Sequence, residues 1–249
     1  MEMVRADIDI SEDFARENPD KVDWISFSMK NLSEELIREF QDNISWSYIS
    51  RKIYLSENFI REFKDRVDWR YISAFSKLSE EFIREFQNKV NWLNISIDQK
   101  LSESFLREYQ NKISWDAIST YQKLSEDFMK EFKDKIKWDF ISMSQELSEG
   151  FIIEFQDKVN WMYICASQNL SEDFIAKQDK IVWYDISLNK KIFLSEDFIR
   201  KHKWDIWWEQ FIKYQSDKYS QEFFDEFKDI VEFKKIMQMD SSDFSANPK

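Results

Sequence analysis

Apolar and polar residues alternate along this chain in a block that keeps returning, and the block is clearest in Leu78–Lys100, LSEEFIREFQNKVNWLNISIDQK. Its apolar positions are Leu78, Phe82, Ile83, Phe86, Val90, Trp92 and Ile95. Phe82, Ile83 and Phe86 stand at i, i+1 and i+4, one face of a helix with 3.6 residues per turn. Ser79 is placed as an N-cap, and Glu80 and Glu81 follow where negative charge meets the positive end of the helix dipole. Leu78 and Ile83 have the spacing of a hydrophobic staple. Glu80–Arg84 and Glu85–Lys89 read as i,i+4 ion pairs in the favourable order. These signals predict a helix over about 79–88. A second start follows at Asn91, whose equivalents are Asp23, Ser45, Asp68, Ser114 and Asn160. Trp92 and Ile95, three apart, share a face, so a short second helix is predicted over about 92–99.

Aligned on the Leu78 position, the block starts at Ile10, Leu32, Leu55, Leu78, Leu101, Leu124, Leu147, Leu170, Leu194 and, degenerate, Tyr219. A fixed period of this size marks a repeat architecture. With no strict alternation and no leucine-rich register, strand-based solenoids are excluded. The expected fold is all-α: an α-solenoid, or superhelix, of about ten two-helix repeats. One repeat cannot stand alone. Six or seven buried side chains contribute about 9–20 kcal/mol, whereas ordering 23 residues costs roughly 23–46 kcal/mol in backbone entropy. Stacking on neighbours supplies the rest. The tryptophan that recurs once per repeat, from Trp24 through Trp92 to Trp208, is the expected mortar, each burying on the order of 150–250 Å². Helices about 8–10 Å apart would make a rod on the order of 100 Å long.

A single repeat domain is expected over 1–239, with 240–249 (DSSDFSANPK) as a disordered tail. The first repeat has Asn18 in the Phe86 slot and Pro19 behind it, a helix stop suited to an end repeat. Regularity lapses after 170. The eighth repeat has lost a residue near Lys177–Gln178, and two extra residues appear in Lys190–Phe193. His202 replaces the phenylalanine of the ninth repeat, and Phe233 stands for tryptophan in the tenth.

Composition removes most enzyme chemistry. Gly150, His202 and Cys165 are the only residues of their kinds, so no glycine-rich phosphate loop, Cys/His zinc site or disulfide can be built. No cofactor and no catalytic or metal-ligating residue is assigned. The acidic N-terminus is unlike a signal peptide, and the longest apolar run, Trp161–Ala166, cannot span a bilayer. An intracellular setting follows as an expectation. The net charge of −12 opposes wrapping a phosphate backbone and fits a basic or mixed-surface protein partner.

The wording LSE-x-F-I-R-E-F-x-x-K-V-x-W-x-x-I-S, over about residues 10–239, resembles the tandem repeats in proteins of large nucleocytoplasmic DNA viruses that infect amoebae. The resemblance implies a viral repeat protein acting in the host cytoplasm or carried in the virion. It implies no active site.

Three recurrent features invite functional readings. The serine after the second helix (Ser50, Ser73, Ser96, Ser119, Ser142, with Cys165 in one repeat) is read as a small side chain at a tight helix contact, because a nucleophile needs one constellation rather than a string of equivalents. The Glu80/Arg84/Glu85 set is read as a solvated face whose stacked like charges are relieved by offset pairs between repeats. His202 is read as a satisfied, partly buried imidazole. The segment Lys190–Trp208 is locally basic and aromatic, and Lys190, Lys191, Arg200, Lys201, Lys203, Trp204 and Trp207 form a candidate partner site; the competing reading is that its rings close the open end of the core. The expected function is a non-enzymatic scaffold that binds another protein or a second copy of itself. Variable positions such as Arg70, Tyr71, Leu93, Asn94, Asp116 and Ala117 would line its binding surface. The alternative is a single-strand nucleic-acid reader of one base per repeat.

Overall fold

A computed structural model describes residues 11–232, and every regular element among them is a helix. The Met1–Ile10 segment, the expected tail 240–249 and Phe233 lie outside the described residues. The fold is an α-solenoid of tandem two-helix repeats. The described residues fall into two compact units, 11–122 and 123–232.

Within the first unit the repeat from Leu78 shows how sequence makes structure. Ser79 caps the first helix, its Oγ accepting the Phe82 N–H at 3.1 Å. That helix runs Glu80–Glu85 and ends at Phe86, whose φ of −109° and ψ of 26° leave the helical path. The N–H groups of Lys89 and Val90 then both close on the Phe86 carbonyl, at 2.8 and 3.1 Å. The helix therefore stops about three residues short of the expected 88, with no glycine or proline to mark the place. Asn91 caps the second helix, Trp92–Asp98, through its side chain. At the chain's start the first helix, Glu12–Glu17, ends at the same place in its repeat as the proline-free copies, so Pro19 is not what stops it; the proline opens the short 3-10 turn Pro19–Lys21.

The core of this unit is the expected stripe. Leu36, Ile37, Phe59, Ile60, Phe82 and Ile83 are fully buried, as are Ile49, Ile72 and Ile95 of the second helices. Successive second helices, Trp69–Phe75, Trp92–Asp98 and Trp115–Tyr121, pack side by side. Each tryptophan reaches forward: Trp69 lies over Phe82 and Phe86 of the next repeat with centroids 6.2 and 4.9 Å apart, and Trp92 over Phe105 and Tyr109 at 6.2 and 4.8 Å. Its indole N–H closes on the carbonyl five residues back, Gln87 in the case of Trp92, at 3.0 Å. These rings bridge repeats as expected but are only half-buried; Trp24 alone in this unit is buried.

The second unit repeats the scheme. Phe128, Met129, Ile141 and Ile152 are fully buried, and the second helices Trp138–Ser144, Trp161–Ser167, Trp183–Leu188 and Trp208–Gln215 pack in series. Where the eighth repeat has lost its phenylalanine, Trp161 keeps the Phe174 ring contact, at 6.2 Å, and Lys180 lies 5.9 Å from its ring. In the ninth, His202 takes the phenylalanine's place and stacks on Trp183 at 4.9 Å. Trp208 is buried against Phe227 at 4.4 Å.

Candidate interaction surface

Much of the charge on the first helices is paired within the chain. In successive repeats the first glutamate of the first helix reaches the next repeat, where it accepts the backbone N–H of the capping serine: Glu57 from Ser79 and Glu80 from Ser102, both at 2.6 Å. Glu126 and Glu149 do the same for Ser148 and Ser171, at 2.7 and 2.6 Å. Arg84 lies between Glu80 of its own helix, at 3.5 Å, and Glu108 of the next repeat, at 2.8 Å. Arg38–Glu62 and Arg61–Glu85 repeat the inter-repeat pair at 2.7 Å, and Lys130–Glu154 carries it into the second unit. Offset pairing thus relieves the stacking of like charges. The hydrogen bond from each arginine to its forward glutamate holds the guanidinium above its ordinary pKa. The expected Glu85–Lys89 pair is replaced by this lattice: Glu85 meets Arg61, and Lys89, beyond the helix end, bonds Asp65 of the preceding repeat at 2.6 Å. That contact pulls the Asp65 carboxyl below its usual range.

The recurrent serines are structural, and they do more than fill space. Ser73 Oγ donates to the Trp69 carbonyl at 2.6 Å and accepts the Asn91 N–H of the next repeat at 2.9 Å. Cys165 keeps the second half of this arrangement, its thiol accepting the Val182 N–H at 3.3 Å. Burial pushes the thiol up to about 11. His202 is partly buried, as expected, but only half satisfied: Nδ1 meets Asp205 at 3.0 Å while Nε2 is buried without a partner.

One buried column was not anticipated. Gln99, at the end of the second helix, donates to the carbonyls of Ser73 and Ser76 at 3.0 and 2.9 Å and accepts the Leu78 N–H at 3.0 Å. Gln168 makes the same three bonds to Ser142, Gln145 and Leu147. Its recurrence at Gln99, Gln122, Gln145 and Gln168 is visible in the sequence. Earlier in the chain the Tyr54 hydroxyl takes over part of the task, donating to the Leu32 carbonyl at 2.7 Å and accepting the Leu32 N–H at 3.0 Å.

The exposed apolar surface within helices lies mainly on the second helices. Among exposed large apolar residues, Ile25, Phe75, Leu93, Tyr121, Met143, Met162 and Tyr184 lie in second helices, whereas Ile153 is the one in a first helix. The variable positions Arg70, Leu93 and Asp116 are exposed on these second helices; Tyr71 and Asn94 are half-buried, and Ala117 is buried.

The residues of the 190–208 segment do not converge on one point. Arg200 is engaged by Glu226, Glu196 and Asp197 at 2.8–3.0 Å, as a member of the inter-repeat lattice. Lys190 lies 5.6 Å from the Tyr214 ring and lines a cavity of about 260 Å³ with Lys213 and Lys218. Lys203 lies 5.9 Å from the ring of Trp204, which is 59% exposed. Trp207 meets Tyr184 edge to face at 5.1 Å, and its backbone N–H bonds Ser187 Oγ at 3.0 Å. Lys191 and Lys201 are exposed.

No group of three His, Cys, Asp or Glu side chains that could hold a metal occurs among the described residues, and no described helix is long and apolar enough to cross a membrane. The molecule is a tandem helical-repeat protein. No protein-family model, curated protein or solved structure matches the chain.

Proposed function

We propose that this chain is a non-enzymatic repeat scaffold that binds another protein through the outer side of its second helices, and that it serves a virus inside the host cell or in the virion. The viral setting rests on the sequence resemblance alone. The scaffold reading rests on the division of the surface: the recurring arginines of the first helices are paired with carboxylates within the chain, while exposed apolar residues gather on second helices at positions that vary between repeats. Such columns can change without disturbing the lattice beneath them, as a binding face requires. Trp204 and Trp207 of the 190–208 segment offer further exposed aromatic surface.

The test is comparative affinity capture from host-cell lysate with quantitative mass spectrometry. The wild type is set beside Leu93→Glu/Tyr121→Glu on the second helices and Glu81→Lys on a first helix. Proteins lost with the former and kept with the latter support the reading. An identical set from all three, or none above the bare matrix, rejects it.

A further inference from the structure

Arg51 departs from the pattern of the other described arginines. Arg16, Arg38, Arg61, Arg66, Arg70, Arg84, Arg107 and Arg200 each lie within 4 Å of a carboxylate. Arg51 has no carboxylate partner among the described residues and is exposed. Its guanidinium is nonetheless held in place. It lies 4.3 Å from the Tyr71 ring centroid and 5.6 Å from that of Tyr48, and Nη2 donates to the Tyr71 hydroxyl at 2.6 Å. The stack continues outward, with Tyr71 and Phe75 rings 6.2 Å apart and nearly parallel.

The surroundings are basic and apolar in a chain that is acidic overall. Lys52, beside Arg51, donates to the Met29 carbonyl of the preceding repeat at 2.5 Å, and no carboxylate pairs with it among the described residues. Met29 is 52% and Phe75 46% exposed, and Ile25, one turn before Met29, is 62% exposed. Arg70, next to Tyr71 in sequence, is paired to Asp68. The turns after Trp24–Phe27 and Trp46–Ile49, with the Trp69–Phe75 helix beside them, thus present Arg51 and Lys52 between the exposed side chains of Met29 and Phe75.

We propose that this surface, centred on Arg51 and flanked by Met29 and Phe75, docks an acidic protein segment that alternates carboxylates with apolar side chains. The proposal rests on the scaffold reading and gives that scaffold a site and a partner chemistry. A carboxylate meets the free edge of the guanidinium, which the Tyr71 ring and hydroxyl already hold in place, so little side-chain freedom remains to be lost on binding. Adjacent apolar side chains of the segment cover Phe75 and Met29. Charge complementarity selects a protein with an acidic stretch over a second copy of the same region, which is itself basic. The overall charge of −12 repels a nucleic-acid strand and a long acidic chain alike. The site therefore fits a short acidic stretch whose carboxylates stay within this patch, rather than the basic or mixed-surface partner that the net charge alone suggests.

Fluorescence anisotropy with the full chain tests this, using a labelled peptide of repeated Glu-Leu-Asp-Phe. The controls are its Gln-Leu-Asn-Phe counterpart and single-stranded oligothymidylate. Saturable binding of the acidic peptide is expected, weakened about tenfold by Arg51→Gln and by Phe75→Ser, less by Arg51→Lys, and not at all by Lys133→Gln in the second unit. An unchanged melting temperature for Arg51→Gln establishes that the fold is intact. Failure of the wild type to bind, equal binding by Arg51→Gln, or tighter binding of the oligonucleotide overturns the proposal. If the peptide fails while Leu93→Glu/Tyr121→Glu still loses captured proteins, the scaffold reading stands without this site.

Discussion

The Ser73 hydroxyl and the Asn91 backbone N–H, eighteen residues apart, meet at 2.9 Å across the boundary between two repeats. Ser73 is fully buried, and its own proton is committed to the Trp69 carbonyl. The helix that ends one repeat thereby fixes where the second helix of the next begins. Removing the oxygen leaves a partly buried N–H without an acceptor, a loss of about 1–3 kcal/mol. Ser73→Ala should lower the urea midpoint accordingly. Ser73→Cys should cost less, since Cys165 performs the same acceptance at 3.3 Å.

Gln99 satisfies three backbone groups with one side chain. Gln99→Leu keeps the bulk and strands all three, so a loss of at least about 3 kcal/mol is expected in denaturant unfolding. The converse substitution lies one repeat earlier. Ser76 occupies the same position of its repeat, and its Oγ is buried without a partner. Ser76→Gln brings the glutamine pattern to that repeat and should raise stability by about 1 kcal/mol.

These columns show how far the sequence could be read. The two helices, the tryptophan bridge and the buried stripe through Phe82, Ile83 and Ile95 follow from spacing alone, because periodicity reports which side chains face inward. Hydrogen bonds between repeats do not register in that pattern. Glu80 was legible as a first-turn residue suited to the helix dipole, yet its oxygen reaches the Ser102 N–H of the next repeat. Glu85 and Lys89 had the spacing of an ion pair, but the helix ends at Glu85 and turns Lys89 back toward Asp65. Gln99 recurs in the sequence, though a polar residue at a helix end reads as solvated until its burial is known. Arg51 was invisible for a different reason: what sets it apart is the carboxylate it does not have.

The inter-repeat arginine pairs are partly exposed, with Arg61 34% and Arg84 38% accessible at the side chain. Solvent screens such pairs, so each contributes little and the contribution depends on salt. Arg61→Gln combined with Arg84→Gln should lower the melting temperature, most clearly near 10 mM salt, where the Debye length is about 30 Å. At about 1 M salt, with screening over about 3 Å, wild type and variant should converge. A difference that persists unchanged at high salt would assign the effect to lost packing of Arg61 on Phe82, 4.9 Å from the ring.

Cys165 gives the chain an alkaline weakness that its serine relatives lack. Burial raises the thiol from an ordinary 9.0 to about 11 in the folded protein. Below pH 9 the thiol is protonated in both states, and the folded form keeps its full advantage. As pH climbs from about 9 toward 11 the unfolded chain ionises first, so stability falls across that window and reaches its floor above it. Cys165→Ser places a hydroxyl where Ser142 and Ser187 already serve, and Ser142 Oγ receives the Asn160 N–H at 2.9 Å. The variant should therefore match or exceed wild type at pH 8 and lose less between pH 9 and 11. Paired urea titrations read the difference, with the tyrosines and lysines common to both chains cancelling. A thiol reagent at pH 8 gives the kinetic counterpart: Cys165 should be modified no faster than the chain opens. Rapid labelling of the folded protein would place the thiol at the surface and remove the cause of the pH effect.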